Sequence, residues 1–200
     1  VSLDKYTTMI MVSGSYNQLS KNDIEKINDW VEKGNTLITV ANGSSWAINK
    51  KLVKETLLEA SNDSIFSRKN YVSAAENIGR ERIGGAILSV DLDLTHPLAF
   101  GYRDSSIPVY KNNNVFINKT KDHYSSVGIY SEDPHIDGYI SEENMKNNFK
   151  NTASLIVSKL GSGRVIIFAD NPNFRGSWYG TNKLFLNAIF FGNNINVPTN

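Results

Sequence analysis

Cysteine is absent from all 200 residues. That excludes disulfides, thiolate zinc sites and a cysteine nucleophile together. Histidine is scarce: His96, His123 and His135 are the three, and none stands in an H-x-x-E, H-E-x-x-H or H-x-H spacing. A zinc centre would have to gather its ligands with little help from local spacing. Charge of one sign is missing too, because the formal net charge is +1. No field steers nucleic acid or anionic lipid, and neither is expected as a partner. An apolar run of about twenty residues is lacking, as is a signal-like start, so no membrane-spanning helix is expected.

What is present is ordinary for a folded domain: 40% hydrophobic and 20% charged residues, enough apolar chain to build one sizeable core. We read residues 1–200 as a single domain, without an internal repeat or a low-complexity linker. The chain opens "VSLDKYTTMIMV", without an initiator Met and a few residues before an apolar run. It is read as a piece cut from the C-terminal part of a longer polypeptide. Asn, Lys, Ile and Ser are abundant, as in AT-rich bacterial genomes.

"TTMIMVSGS" (7–15) predicts a buried strand ended by glycine. In "LSKNDIEKINDWVEKGN", Ser20 caps and Asp23 stands in capping-box position. Ile24, Ile27 and Val31 share one helical face, and Gly34 stops the helix. "TLITVA" (36–41) gives a second apolar strand, and a helical pattern then runs through Leu52, Leu57 and Leu58. Strand, helix, strand, turn, helix builds a parallel sheet with helices on its faces. The middle, 64–135, reads differently. Leu88, Val90, Leu92 and Leu94 alternate with Ser89, Asp91 and Asp93, which predicts a half-exposed antiparallel strand. "KNNNVFINKTKDHYSS" gives little reason for a helix. "NTASLIVSKLGSGRVIIFAD" predicts a hairpin, and Thr181 or Asn182 caps a last helix, "KLFLNAIFF", apolar almost all round and expected to be buried.

Four stretches are weighed as sites. In "ANGSSWA" (41–47), Ser44 or Ser45 sits where a strand meets a helix, the place where α/β folds put nucleophiles and bind anions. G-x-S-x-G is absent, and a serine there is more often a helix cap. Asp91, Asp93 and His96 could form an oxygen-rich metal corner, but nothing nearby completes a coordination shell, and a solvated strand face is the better reading. "DPHIDG" (133–138) reads as surface loop. The loop "DNPNFRGSWYG" (170–180) is dense in groups that hydrogen-bond and stack. It is either a pocket at the C-terminal sheet edge or an ordered aromatic plug.

"GTNKLFLNAIFFG", "GRVIIFADNPNFRGSWYG" and "DLTHPLAFGY", with the opening β-α-β, resemble a domain found at the C-terminus of bacterial, Bacteroidetes-type zinc carboxypeptidases. Those are carboxypeptidase A-like metallopeptidases. The resemblance implies a class I glutamine amidotransferase-like fold: a flavodoxin-like, three-layer α/β sandwich with a mostly parallel sheet and an antiparallel hairpin near its C-terminus. Amidotransferases of this kind carry a Cys on the strand–helix elbow and a His and Glu after a late strand. Here the elbow is "ANGSS", and Ala169 and Asp170 stand where the His and its neighbour would be. Ser13-Gly14-Ser15 replaces the family's Gly-Gly pair after the first strand. Glutaminase chemistry is therefore not expected.

The resemblance further implies a non-catalytic accessory domain with a secreted or periplasmic parent hydrolase. Its partner would be the peptidase catalytic domain in the same chain, with homo-oligomerisation as a further option. Zinc would belong to that absent domain, and no cofactor is expected in this one. Ser44, Ser45, Asp170, Asn171, Arg175 and Trp178 form the candidate ligand pocket, Arg175 holding a carboxylate and Trp178 stacking. Two alternatives stay open: a serine hydrolase using Ser44 or Ser45 with His96 or His135 as base, and a carbohydrate-binding module using Trp178 and Tyr179.

Overall fold

The computed structural model describes residues 2–59, 68 and 70–198. The first residues of the 64–135 segment, up to 67, and the opening Val1 lie outside the described residues. Strand β1 (Thr8–Met11) leads into helix α1 (Lys21–Glu32). Ser20 and Asp23 close the predicted capping box, and Gly34 turns the chain at φ 116° just beyond the helix. Next come β2 (Thr36–Val40) and α2 (Asn42–Asn49). The predicted extension of α2 through Leu58 is corrected. Lys51 bends the chain at φ 58°, Leu52 is buried in the turn, and Leu57 pairs with Ile117 as an isolated bridge. Apolar residues five and six apart mimic a helical face, but the backbone groups there find a strand partner instead.

Helix α3 (Ala74–Glu81) precedes β3 (Ala86–Leu92), β4 (Ser106–Lys111), β5 (Ile117–Asn118) and the long β6 (Ser126–Gly138). The alternation expected for β3 holds, with Ala86, Leu88, Val90 and Leu92 buried; Leu94 falls past the strand end and is exposed. Helix α4 (Glu142–Asn148) is followed by the predicted hairpin, β7 (Thr152–Leu160) and β8 (Gly163–Phe168), and by α5 (Tyr179–Phe191).

Among the described residues the strands make one mixed sheet in the order β1-β2-β8-β7-β6-β3-β4, with β5 alongside β7. The ladders β1–β2 and β2–β8 are parallel; β8–β7, β7–β6, β6–β3 and β3–β4 are antiparallel. The fold is the expected amidotransferase-like α/β class, with an antiparallel part that extends beyond the hairpin to the β4 edge. Both sheet faces are covered. Leu37, Val165 and Ile167 pack with Ile27, Trp30, Val31 and Ala47 on one side. Ile38, Val40, Ile166 and Phe168 pack with Leu184 and Ala188 on the other. Each such fully buried aliphatic side chain contributes roughly 1.5–3 kcal/mol, so the two-sided burial of β2 and β8 anchors the sheet centre.

Helix α5 departs from expectation twice. It starts at Tyr179 without a side-chain cap, and Thr181 is buried in its first turn, donating to the Pro172 carbonyl at 2.8 Å. Nor is it buried all round: Leu184 and Ala188 face the sheet, while Leu186 and Phe190 are exposed. An outer-layer helix has only one face to give to a sheet, whatever its composition.

Candidate functional site

The parallel strands β1, β2 and β8 end at one edge, the ligand side of an open α/β sheet. There the chain turns from β2 into α2 through a single residue, Ala41, held at φ 49° and ψ −112°. A non-glycine residue in that region is strained, at a cost of about 1–3 kcal/mol. The bend persists because both flanks are fixed. The Ala41 N–H donates to Phe168 O at 2.8 Å, and its carbonyl accepts from Ser45 N at 3.0 Å. Gly43 lets the turn press against β1; a Cβ there would stand 2.6 Å from Met11 O and 2.9 Å from Val12 O. This strained strand–helix turn is the geometry that presents a hydrolase nucleophile. Its apex carries a methyl group, and Ala41 is only 3% exposed.

The apex is therefore Ala41, one turn before the serines singled out from sequence. Ser44 is fully buried and structural: its Oγ donates to Phe168 O at 2.8 Å and pairs with Thr39 Oγ1 at 2.9 Å, tying α2 to the end of β8. Ser45 is half-buried, and its Oγ accepts from Asn49 Nδ2 at 3.5 Å. The described histidines are engaged elsewhere. His96 Nδ1 accepts from Leu98 N at 3.1 Å as the cap of a short helical turn, and His135 Nε2 is 2.7 Å from Gly138 O. His123 lies beside the Tyr124 ring. Asp93 receives Thr95 N and Oγ1 in a local turn. Among the described residues, no group of three or more His, Asp or Glu side chains could hold a metal ion. The geometry assembles neither a serine–histidine pair nor a metal corner.

Directly after β8, Asp170 forms the centre of a buried polar network. Its Oδ1 accepts from Lys111 Nζ at 3.0 Å; its Oδ2 accepts from Tyr130 OH and Ser154 Oγ, each at 2.6 Å. Lys111 is 0% exposed. Its ammonium also donates to Val115 O at 2.8 Å and lies over the Phe116 ring, 4.7 Å from the centroid. Burial pushes the Lys111 amine below its ordinary value, with the Asp170 carboxylate pulling the other way. The Tyr130 phenol is pushed well up, first by burial and then by Asp170. Lys111, Tyr130 and Ser154 were not picked out from sequence. One signal was there: in "SIPVYK" the inward positions of β4 are Ile107, Val109 and Lys111, so a lysine holds a core position. Beside Asp170, between the sheet and α5, a cavity of about 10 Å³ is lined by Val90, Ile107, Phe168, Thr181 and Leu184. That is room for a single water.

Of the remaining candidates Asn171 lines that cavity beside Asp170, whereas Arg175 and Trp178 do not. Asn171 Oδ1 accepts from Asn173 N at 3.0 Å, an Asx turn. Arg175 is exposed, at φ 53°, with its guanidinium over the Phe174 ring. Phe174 stacks on Tyr110 of β4 at 3.9 Å between centroids, and Trp178 packs on the same ring at 6.1 Å while donating its indole N–H to Pro108 O. The loop is thus a plug over the β4 edge. Trp178 turns to Tyr110 rather than pairing with the exposed Tyr179 in the flat platform that sugar stacking needs.

Comparison with known proteins agrees with this architecture. The family described as "Domain of unknown function (DUF4350)" matches residues 2–175. No curated protein matches the chain. Among solved structures, PurLQS from Thermotoga maritima aligns with a TM-score of 0.57 at 17% identity, over 96% of this chain and 82% of its own. A ThuA-like protein from Parabacteroides merdae gives 0.57 at 10% identity, over 100% and 75%. A GMP synthase protein from Thermoplasma acidophilum gives 0.53 at 12%, over 94% and 73%. At such identities the likeness shows the fold alone. The carboxypeptidase resemblance is overturned: the family match and these neighbours point to amidotransferase-like and ThuA-like folds, and to no zinc carboxypeptidase or other metallopeptidase. With it goes the ground on which a parent hydrolase, its zinc and a secreted setting were expected. The motifs that carried it lie in the β8–loop–α5 framework, at the end of β3 and in the opening β-α-β, strand and helix patterns that specify a fold without specifying a parent enzyme.

Proposed function

The chain belongs to the DUF4350 family, and on the geometry of its elbow we propose that it is a non-catalytic amidotransferase-like domain that acts by recognition rather than turnover. The observation that carries this reading is Ala41, a methyl group at the strained apex where nucleophilic catalysis requires a thiol or hydroxyl. A second position supports it. Ala169, which stands where an amidotransferase of this fold carries its His, is fully buried and donates its N–H to Ser154 O at 2.8 Å. Without an imidazole at hydrogen-bond distance, Ser44 and Ser45 have no base to activate them. Asp170, the next residue, is neutralised by Lys111 and two hydroxyls and has no free role as an acid orienting a histidine.

The test is direct. The purified protein is incubated with glutamine and with a p-nitrophenyl ester, and separately with a fluorophosphonate probe. The expected result is ammonia and nitrophenol release at the buffer rate and no labelled serine. Turnover above that background, or a label on Ser44 or Ser45, overturns the reading.

A further inference from the structure

The Lys111–Asp170 pair has the surroundings of a reaction rather than of a surface ion pair. Both members are buried, and the amine is 3.0 Å from one carboxylate oxygen. Lys111 Nζ is further bounded by Val115 O at 2.8 Å, Tyr130 OH at 3.3 Å and Asn113 Oδ1 at 3.4 Å. Aromatic rings wall the site: Lys111 lies over Phe116 and Tyr130, and Phe149 meets both rings edge-on. On the far side, the other carboxylate oxygen takes two hydroxyl donors, from Tyr130 and Ser154. A lysine in an apolar pocket is an activated nucleophile, fixed proximity removes the entropic barrier to attack, and hydroxyls aimed at one oxygen stabilise charge developing there.

We propose that Lys111 and Asp170 condense into an intramolecular isopeptide bond, Nζ to Cγ, with loss of one water. Within the ion pair, a proton passes from the ammonium to Oδ1, leaving a neutral amine and a neutral carboxylic acid. Burial favours the neutral amine because the buried ammonium loses its hydration. The Nζ lone pair then adds to Cγ, and the C=O electron pair moves onto Oδ2, where the Tyr130 and Ser154 hydroxyls hold the negative charge. Oδ1 departs with its proton and a second one from the nitrogen, as water. The carbonyl re-forms at Oδ2, and the nitrogen keeps one hydrogen as an amide N–H. No oxidant, metal or co-reactant is required. Condensation removes two charges from a low-dielectric site whose pairing barely repays their desolvation. It ties the end of β4 to the end of β8 across 59 residues of chain.

Intact-mass measurement of the full chain in denaturing solvent reads the bond. The wild-type protein is expected lighter by one water than its sequence, with the tryptic peptides of Lys111 and Asp170 recovered as one branched species. Lys111→Arg is expected at full mass. Asp170→Asn provides a check that does not depend on wild-type numbers: its condensation expels ammonia instead of water and gives the same final mass as the linked wild type. Tyr130→Phe is expected to slow the mass loss after refolding. A wild-type chain at full mass with the two peptides recovered separately overturns the proposal.

Discussion

Ala41 shows how one backbone angle pair separates the roles of neighbouring residues. At φ 49° and ψ −112° its strain amounts to about 1–3 kcal/mol. Exchange to glycine releases that strain but loses a buried methyl, about 0.8 kcal/mol, and adds chain entropy of about 0.5–1 kcal/mol. In Ala47, buried in α2 with a helical backbone, the same exchange has both losses and no release. We expect Ala41→Gly to fall between about 0.8 kcal/mol less stable and about 1.7 kcal/mol more stable than wild type, and Ala47→Gly to lower stability by about 1.3–1.8 kcal/mol. Urea denaturation of the two variants decides it; equal losses would mean that the elbow is not strained.

At the level of elements, the 170–178 loop is tied down by rings rather than by regular structure. Phe174 and Trp178 both meet Tyr110, and the Trp178 N–H bond to Pro108 adds one hydrogen bond at the β4 edge. An aromatic pair contributes about 0.5–1.5 kcal/mol beyond its burial, and a neutral hydrogen bond about 1 kcal/mol. Trp178→Ala is expected to lower stability by about 2 kcal/mol while the far-ultraviolet dichroism stays unchanged, since neither β4 nor α5 depends on that ring for its own hydrogen bonds. Retained stability with unaltered near-ultraviolet signals would show that the ring is not seated on Tyr110. The sequence showed the density of this loop but left plug and pocket open. Only the position of Tyr110, more than sixty residues earlier in the chain, settles it.

For the molecule as a whole, titration should narrow the stable range from both ends. Burial holds His96 below its ordinary 6.5, with Asp93 acting against it. The folded imidazole is then neutral where the unfolded one still binds a proton. Stability present above pH 6.5 is lost as pH falls from there through the folded value. At the other end, burial raises Tyr102 to about 12 from 10.0, so the unfolded phenol ionises first and stability falls as pH rises between those values. His96→Asn, which keeps an acceptor at the cap, is expected to flatten the acid slope, and Tyr102→Phe the alkaline one. Denaturation midpoints across the two ranges test this; slopes identical to wild type would refute it.

By itself the sequence determined what depends on near neighbours. The Ser20–Asp23 capping box, the alternation of β3, the β7–β8 hairpin and the loss of cysteine chemistry are all legible within a few residues, because hydrogen bonds to adjacent backbone and side-chain period are local properties. It also drew attention to Asp170, whose importance survives while its expected company does not. Only the tertiary structure decided the rest. Leu57 joins a strand partner sixty residues away, and α5 exposes Phe190 because the sheet offers one face to it. The elbow apex falls on Ala41 because β1 and β8 press on the turn from both sides. Lys111, Tyr130, Ser154 and Asp170 come from four separate places in the chain, and the sheet order β8-β7-β6-β3-β4 is what draws them into one buried cluster. Such long-range meetings depend on which strands pair, and strand pairing is a property of the whole core rather than of any short stretch.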